Sequence, residues 1–191
     1  MGDLVMPSRP ADRRESETPA FAVTLEWVAD IDAATHAGVV DLLDEVARHE
    51  RNMGFNEPLD RETAAEVGDA LKADVKNGAV MVAREGDRIV GTVALAPNKL
   101  PARCHVVEIK RCVIARSHRG RILLRAWRMI LEKCRERGWS TIVIDVRTDY
   151  AATVALWRKL GFIEFGRLPR YAIMDGEEVD GVFMYFDVLA S

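Results

Sequence analysis

The stretch Glu108-Ile-Lys-Arg-Cys-Val-Ile-Ala-Arg-Ser-His-Arg-Gly-Arg-Ile-Leu-Leu124 gathers the residue types best able to do chemistry in this chain. An apolar strand pattern runs into a basic turn, the pair Arg119-Gly120, and the start of an amphipathic helix pattern. The first N–H groups of a helix have no intrahelical partner, and the macrodipole adds partial positive charge there. Such a turn is a natural anion site, so a ligand bearing a diphosphate is the first expectation. Two acids stand inside apolar runs. Glu108 is either a proton acceptor or the partner of Lys110 or Arg111, and strand alternation gives it the side of Val106, Lys110 and Cys112. Asp145, between Val143-Ile144 and Val146, either faces a cleft or is paired. Cys112, a thiol on a strand, reads as packed rather than nucleophilic. His118 reads as a packing or phosphate-contact residue.

These residues need elements to hold them. Phe21 to Val28 alternates as a strand. Val39, Leu42, Leu43 and Val46 repeat at helical spacing, in a helix reaching about Arg51. Asp60 is placed to cap a second helix carrying Ala64, Val67, Leu71 and Val75, with Asn77-Gly78 as its stop. Ala79 to Ala83 and Ile89 to Ala96 read as a hairpin around Glu85-Gly86-Asp87. His105 to Ile114 is a longer strand. Arg121 to Arg137 is a helix burying Leu123, Ala126, Trp127, Ile130 and Cys134, ended by Gly138. Thr141 to Val146 is a strand, and Tyr150 to Leu160 is a helix closed by Gly161. Phe162 to Phe165 and Val182 to Val188 supply the last strands, around a turn at Asp175-Gly176. The order β-α-α-β-β-β-α-β-α-β-β implies an α/β (α+β) fold, a mixed sheet of about seven strands with helices on both faces.

Bulk properties narrow the function. At 191 residues, with 49% apolar and 30% charged residues, the chain fits one globular domain. Residues 1–19 are polar and rich in Pro and charge, and read as a disordered tail before a single domain over 20–191. The net charge of −3, from 27 basic and 30 acidic residues, gives no global attraction to nucleic acid. No apolar run has the roughly 18 residues of a membrane span, and no secretory h-region is present in the first residues. Cys104, Cys112 and Cys134 are an odd set without metal-like pairing, and read as free thiols in a reducing cytoplasm.

Two segments carry a family resemblance. Glu108-Ile-Lys-Arg-Cys-Val-Ile followed by Arg119-Gly120 is similar to the fourth strand and pyrophosphate loop of the Gcn5-related N-acetyltransferases, the GNAT superfamily. Ala155-Leu-Trp-Arg-Lys-Leu-Gly-Phe162 is similar to that family's late Ala-Leu-Tyr-x-Lys-x-Gly-Phe segment. The ending, Gly166-Arg-Leu-Pro-Arg-Tyr171 through Asp180-Gly-Val-Phe-Met-Tyr185, resembles small-molecule resistance acetyltransferases of the tabtoxin-resistance type. The resemblance implies the GNAT fold and transfer of an acetyl group from acetyl-CoA to the amine of a small molecule. It implies that the strand backbone of Cys112, Val113 and Ile114 holds the pantetheine arm. The loop Arg119, Gly120, Arg121, Ile122, Leu123 and Leu124 then holds the pyrophosphate, with Trp157 beside the donor. Glu108 becomes the candidate base. His49, Met53 and Phe55, with Asp145, become candidate acceptor contacts. A homodimer is a further implication.

The chain departs from the family pattern at three donor-side positions. Ile122 and Leu124 stand where glycines let the backbone approach phosphate. Ile122 either crowds that loop, or Ile122 and Leu124 are first-turn core residues of the helix. Trp157 stands where a tyrosine hydroxyl protonates the leaving thiolate, and an indole N–H has no useful acidity. Tyr150, where an Asn is often seen, and Tyr171 are the alternative hydroxyls; Tyr150 otherwise packs or caps its helix. The alternatives to an ordinary acetyltransferase are an unusual donor, carrier-bound or non-acetyl, and a non-catalytic binding protein.

Overall fold

The computed structural model describes residues 23–50, 59–174 and 176–190, with residues 49 and 50 by their backbone. The N-terminal alternation forms β1 (Thr24–Val28). The first helical pattern forms α1 (Ala33–Glu50), and the second forms α2 (Arg61–Asn77). Asp60 caps α2 as its position suggests, its carboxylate accepting from the Thr63 N–H at 2.7 Å. The hairpin is β2 (Ala79–Glu85) and β3 (Arg88–Pro97), and the strand that carries Glu108 is β4 (Val106–Ile114). Then follow α3 (Leu123–Arg137), β5 (Thr141–Arg147) and α4 (Ala151–Lys159). Gly138 ends α3 at φ 70°, a left-handed conformation that suits glycine.

The last two strands are far longer than their apolar patterns suggest: β6 runs Ile163–Met174 and β7 Glu177–Asp187. The reason is a bulge. Arg170 takes a φ of 56°, and β6 shifts register between Leu168 and Ala172 while pairing continues on both sides. β6 is an edge strand with little burial, so it tolerates Pro169 and shows no clean alternation.

Among the described residues, seven strands lie in the order β1-β2-β3-β4-β5-β7-β6. Every neighbouring pair is antiparallel except β4 with β5. One core cluster packs the sheet against α3 and α4, through Val93, Val107, Ile109, Trp127, Ile130, Ile142 and Trp157. A second packs it against α1 and α2, through Val39, Leu43, Leu71, Val80, Val82 and Val113. The helices thus cover both faces, but α1 and α2 touch mainly β2 and β3.

Candidate active site

The central parallel pair is short. β4 and β5 pair only at Val106 with Thr141, Val107 with Ile142, and Glu108 with Val143. Beyond those positions the strands part and a fork opens in the middle of the sheet. On the β3 side, β4 carries a bulge: the register shifts between Thr92 and Ala94, and opposite it Arg111 adopts a φ of 47°. A bulge inserts a residue and inverts the side-chain alternation. Cys112 therefore does not share the side of Glu108, as simple alternation requires. It lines an apolar cleft on the α3 and α4 face, while Val113 falls into the α1 and α2 core.

That cleft brings together most of the residues expected to meet a donor. Cys112, Val113, Ile114, Ile122, Leu123 and Trp157 all line it, with Trp127 and Ile130 behind them. Trp157 is anchored in an aromatic cluster, its ring centroid 4.9 Å from Phe162 and 6.5 Å from Trp127. The cleft exposes the Cys112 thiol to small molecules, yet its apolar walls push that thiol up to about 11. At neutral pH only about one Cys112 in ten thousand is thiolate, which disfavours a nucleophilic role.

The basic turn connects Ile114 to Ile122 and Leu123, three residues that line this cleft. Arg116–His118 forms one 3₁₀ turn, Arg119 donates through Nε to the Ile114 carbonyl at 3.2 Å, and Gly120 turns the chain at φ 77°. His118 points inward, with Nε2 3.2 Å from the Glu85 carboxylate and Nδ1 2.8 Å from Ser117 Oγ. Its packing role is the one realised here. Ile122 sits at the N-cap position of α3 without a capping hydrogen bond from its side chain. Its own side chain is 3% exposed and belongs to the core with Val113 and Ala115. It is a core residue at the helix start that also lines the cleft. Leu124 is not the core residue expected: it is 61% exposed, on the solvent side of α3 away from Trp127, Ile130 and Cys134. Among the described residues, α3 thus starts without a side-chain cap from its N-cap residue, next to the exposed Arg121.

The other face of the fork is polar. Glu108 and Lys110 share it, with Lys110 Nζ 3.2 Å from Glu108 Oε2, so the ion-pair reading of Glu108 holds in the resting protein. Arg111 turns instead to α2 and pairs with Asp74, both side chains being largely buried. Asp145 accepts a short hydrogen bond from the Tyr171 hydroxyl. The β6 bulge makes that contact possible. Arg170 N–H donates to Asp180 at 3.0 Å, and the Tyr171 ring lies flat over Gly181, where a Cβ would come within 2.5 Å of the ring. Burial, then the Asp145 hydrogen bond and the negative charges of Asp145 and Glu108, push the Tyr171 hydroxyl up to about 12. Tyr150, at the N-cap of α4, accepts from Arg147 Nη2 at 2.6 Å, and that guanidinium also stacks on its ring. Phe165, Phe183 and Tyr185 extend an aromatic surface beside Tyr171.

A polar cavity of about 330 Å³ opens on this face, lined by Asp74, Asn77, Asn98, Lys99, Glu108, Lys110 and Val143 among others. Asp74 and the Arg111 bulge escaped the reading of the sequence, which named Lys110 only as a partner for Glu108, although the doublet Lys110-Arg111 does break the alternation between Ile109 and Val113. The aromatic surface escaped it too, because its members meet only through the β6–β7 pairing. Among the predicted acceptor contacts, His49 closes α1 by its backbone, while Met53 and Phe55 lie outside the described residues.

Residues 40–162 match the model of the acetyltransferase (GNAT) family. The L-amino acid N-acetyltransferase AaaT of Escherichia coli K12 is 29% identical over 103 residues, covering 52% of this chain and 62% of that protein. The chain spans between 40% and 62% of the length of the curated relatives it matches. Among solved structures, yncA of Salmonella typhimurium with its cofactor acetyl-CoA superposes with a TM-score of 0.71 at 19% identity, over 87% of this chain and 94% of that one. A phosphinothricin acetyltransferase of Sinorhizobium meliloti in complex with acetyl-CoA superposes with a TM-score of 0.71 at 20% identity, over 86% of this chain and 88% of that one.

Proposed function

The chain belongs to the acetyltransferase (GNAT) family, and on that premise we propose that it moves an acetyl group from acetyl-CoA to the amine of a small molecule. The observation that carries this reading is the fork between β4 and β5, with an apolar cleft on one face and a polar, carboxylate-bearing cavity on the other. A donor laid in the cleft finds a β4 edge from Lys110 to Ile114 that β5 does not pair. Cys112, Ile114, Ile122, Leu123 and Trp157 supply apolar walls for the pantetheine arm. Diphosphate meets the first-turn amides of α3, with Arg119 and Arg121 adding charge. Family structures that hold acetyl-CoA, and the E. coli relative's named activity on amino acids, support this donor and a small acceptor.

Direct attack on the thioester needs the amine in its neutral form. Glu108, half-exposed on the acceptor face at the last position where the two strands pair, is the proposed base, directly or through water. Backbone N–H groups near Ile114 are placed to polarise the thioester carbonyl. Tyr171 stays protonated well above neutral pH and is committed to Asp145, so we assign it to positioning rather than proton delivery. Tyr150 is held by Arg147, and Trp157 has no acidic proton; the departing thiolate therefore takes its proton from water. Among the described residues no helix is long and apolar enough to cross a membrane, and a reducing compartment such as the cytoplasm suits the free thiols.

Calorimetric titration with acetyl-CoA, dephospho-CoA and acetyl-pantetheine tests the donor assignment. Micromolar acetyl-CoA binding that weakens as the nucleotide is trimmed supports it. Equal binding of acetyl-pantetheine, or no binding of acetyl-CoA, rejects it. Glu108→Gln is expected to lower turnover about 100-fold or more while leaving acetyl-CoA affinity in place.

A further inference from the structure

We infer that the cavity of about 330 Å³ on the acceptor face takes a free α-amino acid, with Lys110 holding its carboxylate and Glu108 its amine. The inference rests on the acetyltransferase reading and assigns its acceptor class. The volume suits a ligand of this size, near the lower end of small-molecule pockets. Its lining includes the Glu108–Lys110 pair, two residues of one strand whose charged atoms stand 3.2 Å apart on the same face. An α-amino acid carries its amine and carboxylate on a single carbon, so it presents the opposite charges at matching separation. Such a ligand replaces the half-exposed ion pair with two charge-assisted contacts, one at each end.

The charge balance selects the same ligand. Lys99, Lys110 and Asp74 line the cavity with Glu108, and Arg111 neutralises Asp74 from behind. Among the described residues, three cations thus stand against two carboxylates. The reactive form of an amino acid, with its amine neutral and its carboxylate intact, carries one negative charge and completes that balance. A simple amine or an internal lysine of a protein has no carboxylate to offer Lys110. The position fits the chemistry as well: Glu108 and Val143, both lining the cavity, form the last pair before the fork opens.

The test compares each of the twenty proteinogenic L-amino acids with its carboxamide as acceptor, using the full chain and acetyl-CoA, with N-acetyl product read by mass spectrometry. For the amino acids that react, the acid is expected to exceed its amide at least tenfold in kcat/KM, the difference lying in KM. Lys110→Met should bring the acid-to-amide ratio down toward one, and Lys110→Arg should preserve it. Circular dichroism confirms that both variants fold. Equal use of acids and amides by the unaltered protein overturns the inference, as does a ratio that survives Lys110→Met. Reaction with none of the forty compounds, in protein that binds acetyl-CoA, overturns it while leaving the donor assignment standing. Failure to bind acetyl-CoA removes the reading beneath it.

Discussion

Removing the charge of Asp74 is expected to destabilise the protein by about 3 kcal/mol, although Asp74 lies on α2 and away from the central core. The magnitude follows from burial. The Arg111 and Asp74 side chains are 20% and 15% exposed, so each charge depends mainly on the other for solvation. Deleting one partner of a buried pair typically costs about 3–5 kcal/mol, and the lower end applies because neither side chain is sealed from water. For a chain of this length that is a fall in Tm of about 6–12 °C for Asp74→Asn. The surface pair Lys72–Asp69, 3.8 Å apart and mostly exposed, is the control; Asp69→Asn should move Tm by less than about 2 °C. Replacing both members, as in Asp74→Leu with Arg111→Met, removes the stranded charge and should recover much of the loss. Thermal melts by circular dichroism at neutral pH measure all four proteins. A Tm for Asp74→Asn within about 2 °C of the parent, or a double variant as unstable as the single one, would refute the reasoning.

Ile122→Gly restores the family's usual residue in the donor loop, yet it deletes a core side chain, so it should destabilise by roughly 3 kcal/mol or more and bring no gain in acetyl-CoA affinity. Denaturant melts and calorimetry together check this, and a tighter-binding, fully stable variant would contradict it. Tyr171, raised to about 12 in the folded protein, should give a tyrosinate absorbance step near that pH which Tyr171→Phe removes. Because the folded value lies above the unfolded one near 10, the stabilisation is complete below about pH 10 and is lost as pH rises through about 12. The stability gap between the parent and Tyr171→Phe should therefore be constant below about pH 10 and narrow above it, and a gap that widened there would reverse the sign.

The element order could be read from local patterns because each helix and hairpin carries its own boundary chemistry. Asp60, Gly86, Gly138 and Gly161 mark ends by conformations that depend only on neighbouring residues. Part of the apolar cleft's lining shares one continuous segment for a related reason: Cys112, Val113, Ile114, Ile122 and Leu123 all fall within Cys112 to Leu124. What remained hidden depends on pairing between distant segments. Tyr171 meets Asp145 only because a two-residue bulge in an edge strand lifts its ring over Gly181, and neither the bulge nor the β5–β7 register is written in local composition. The length of β6 was missed because an edge strand exposed along most of its length need not alternate. The sheet position of β5, between β4 and β7, is likewise a matter of topology rather than of sequence pattern.

The bulge at Arg111 lets a single strand line two different spaces, the apolar cleft and the polar cavity. Without it, Cys112 would stand beside Glu108 and Lys110 on the acceptor face, and Val113 would enter the core beneath α3. With it, Lys110 lines the polar cavity, Arg111 turns to α2, and Cys112 and the residues that follow line the apolar cleft. A non-glycine residue in the left-handed region is costly by about 1–2 kcal/mol, so the surroundings must hold Arg111 there. The described contact that does so is its ion pair with Asp74, which joins the bulge to α2 and to the wall of the acceptor cavity. The two half-sites are thereby linked through three consecutive residues and one helix. A substitution at Asp74 that never touches the donor cleft should still weaken acetyl-CoA binding, because it loosens the backbone geometry that turns Cys112 into that cleft.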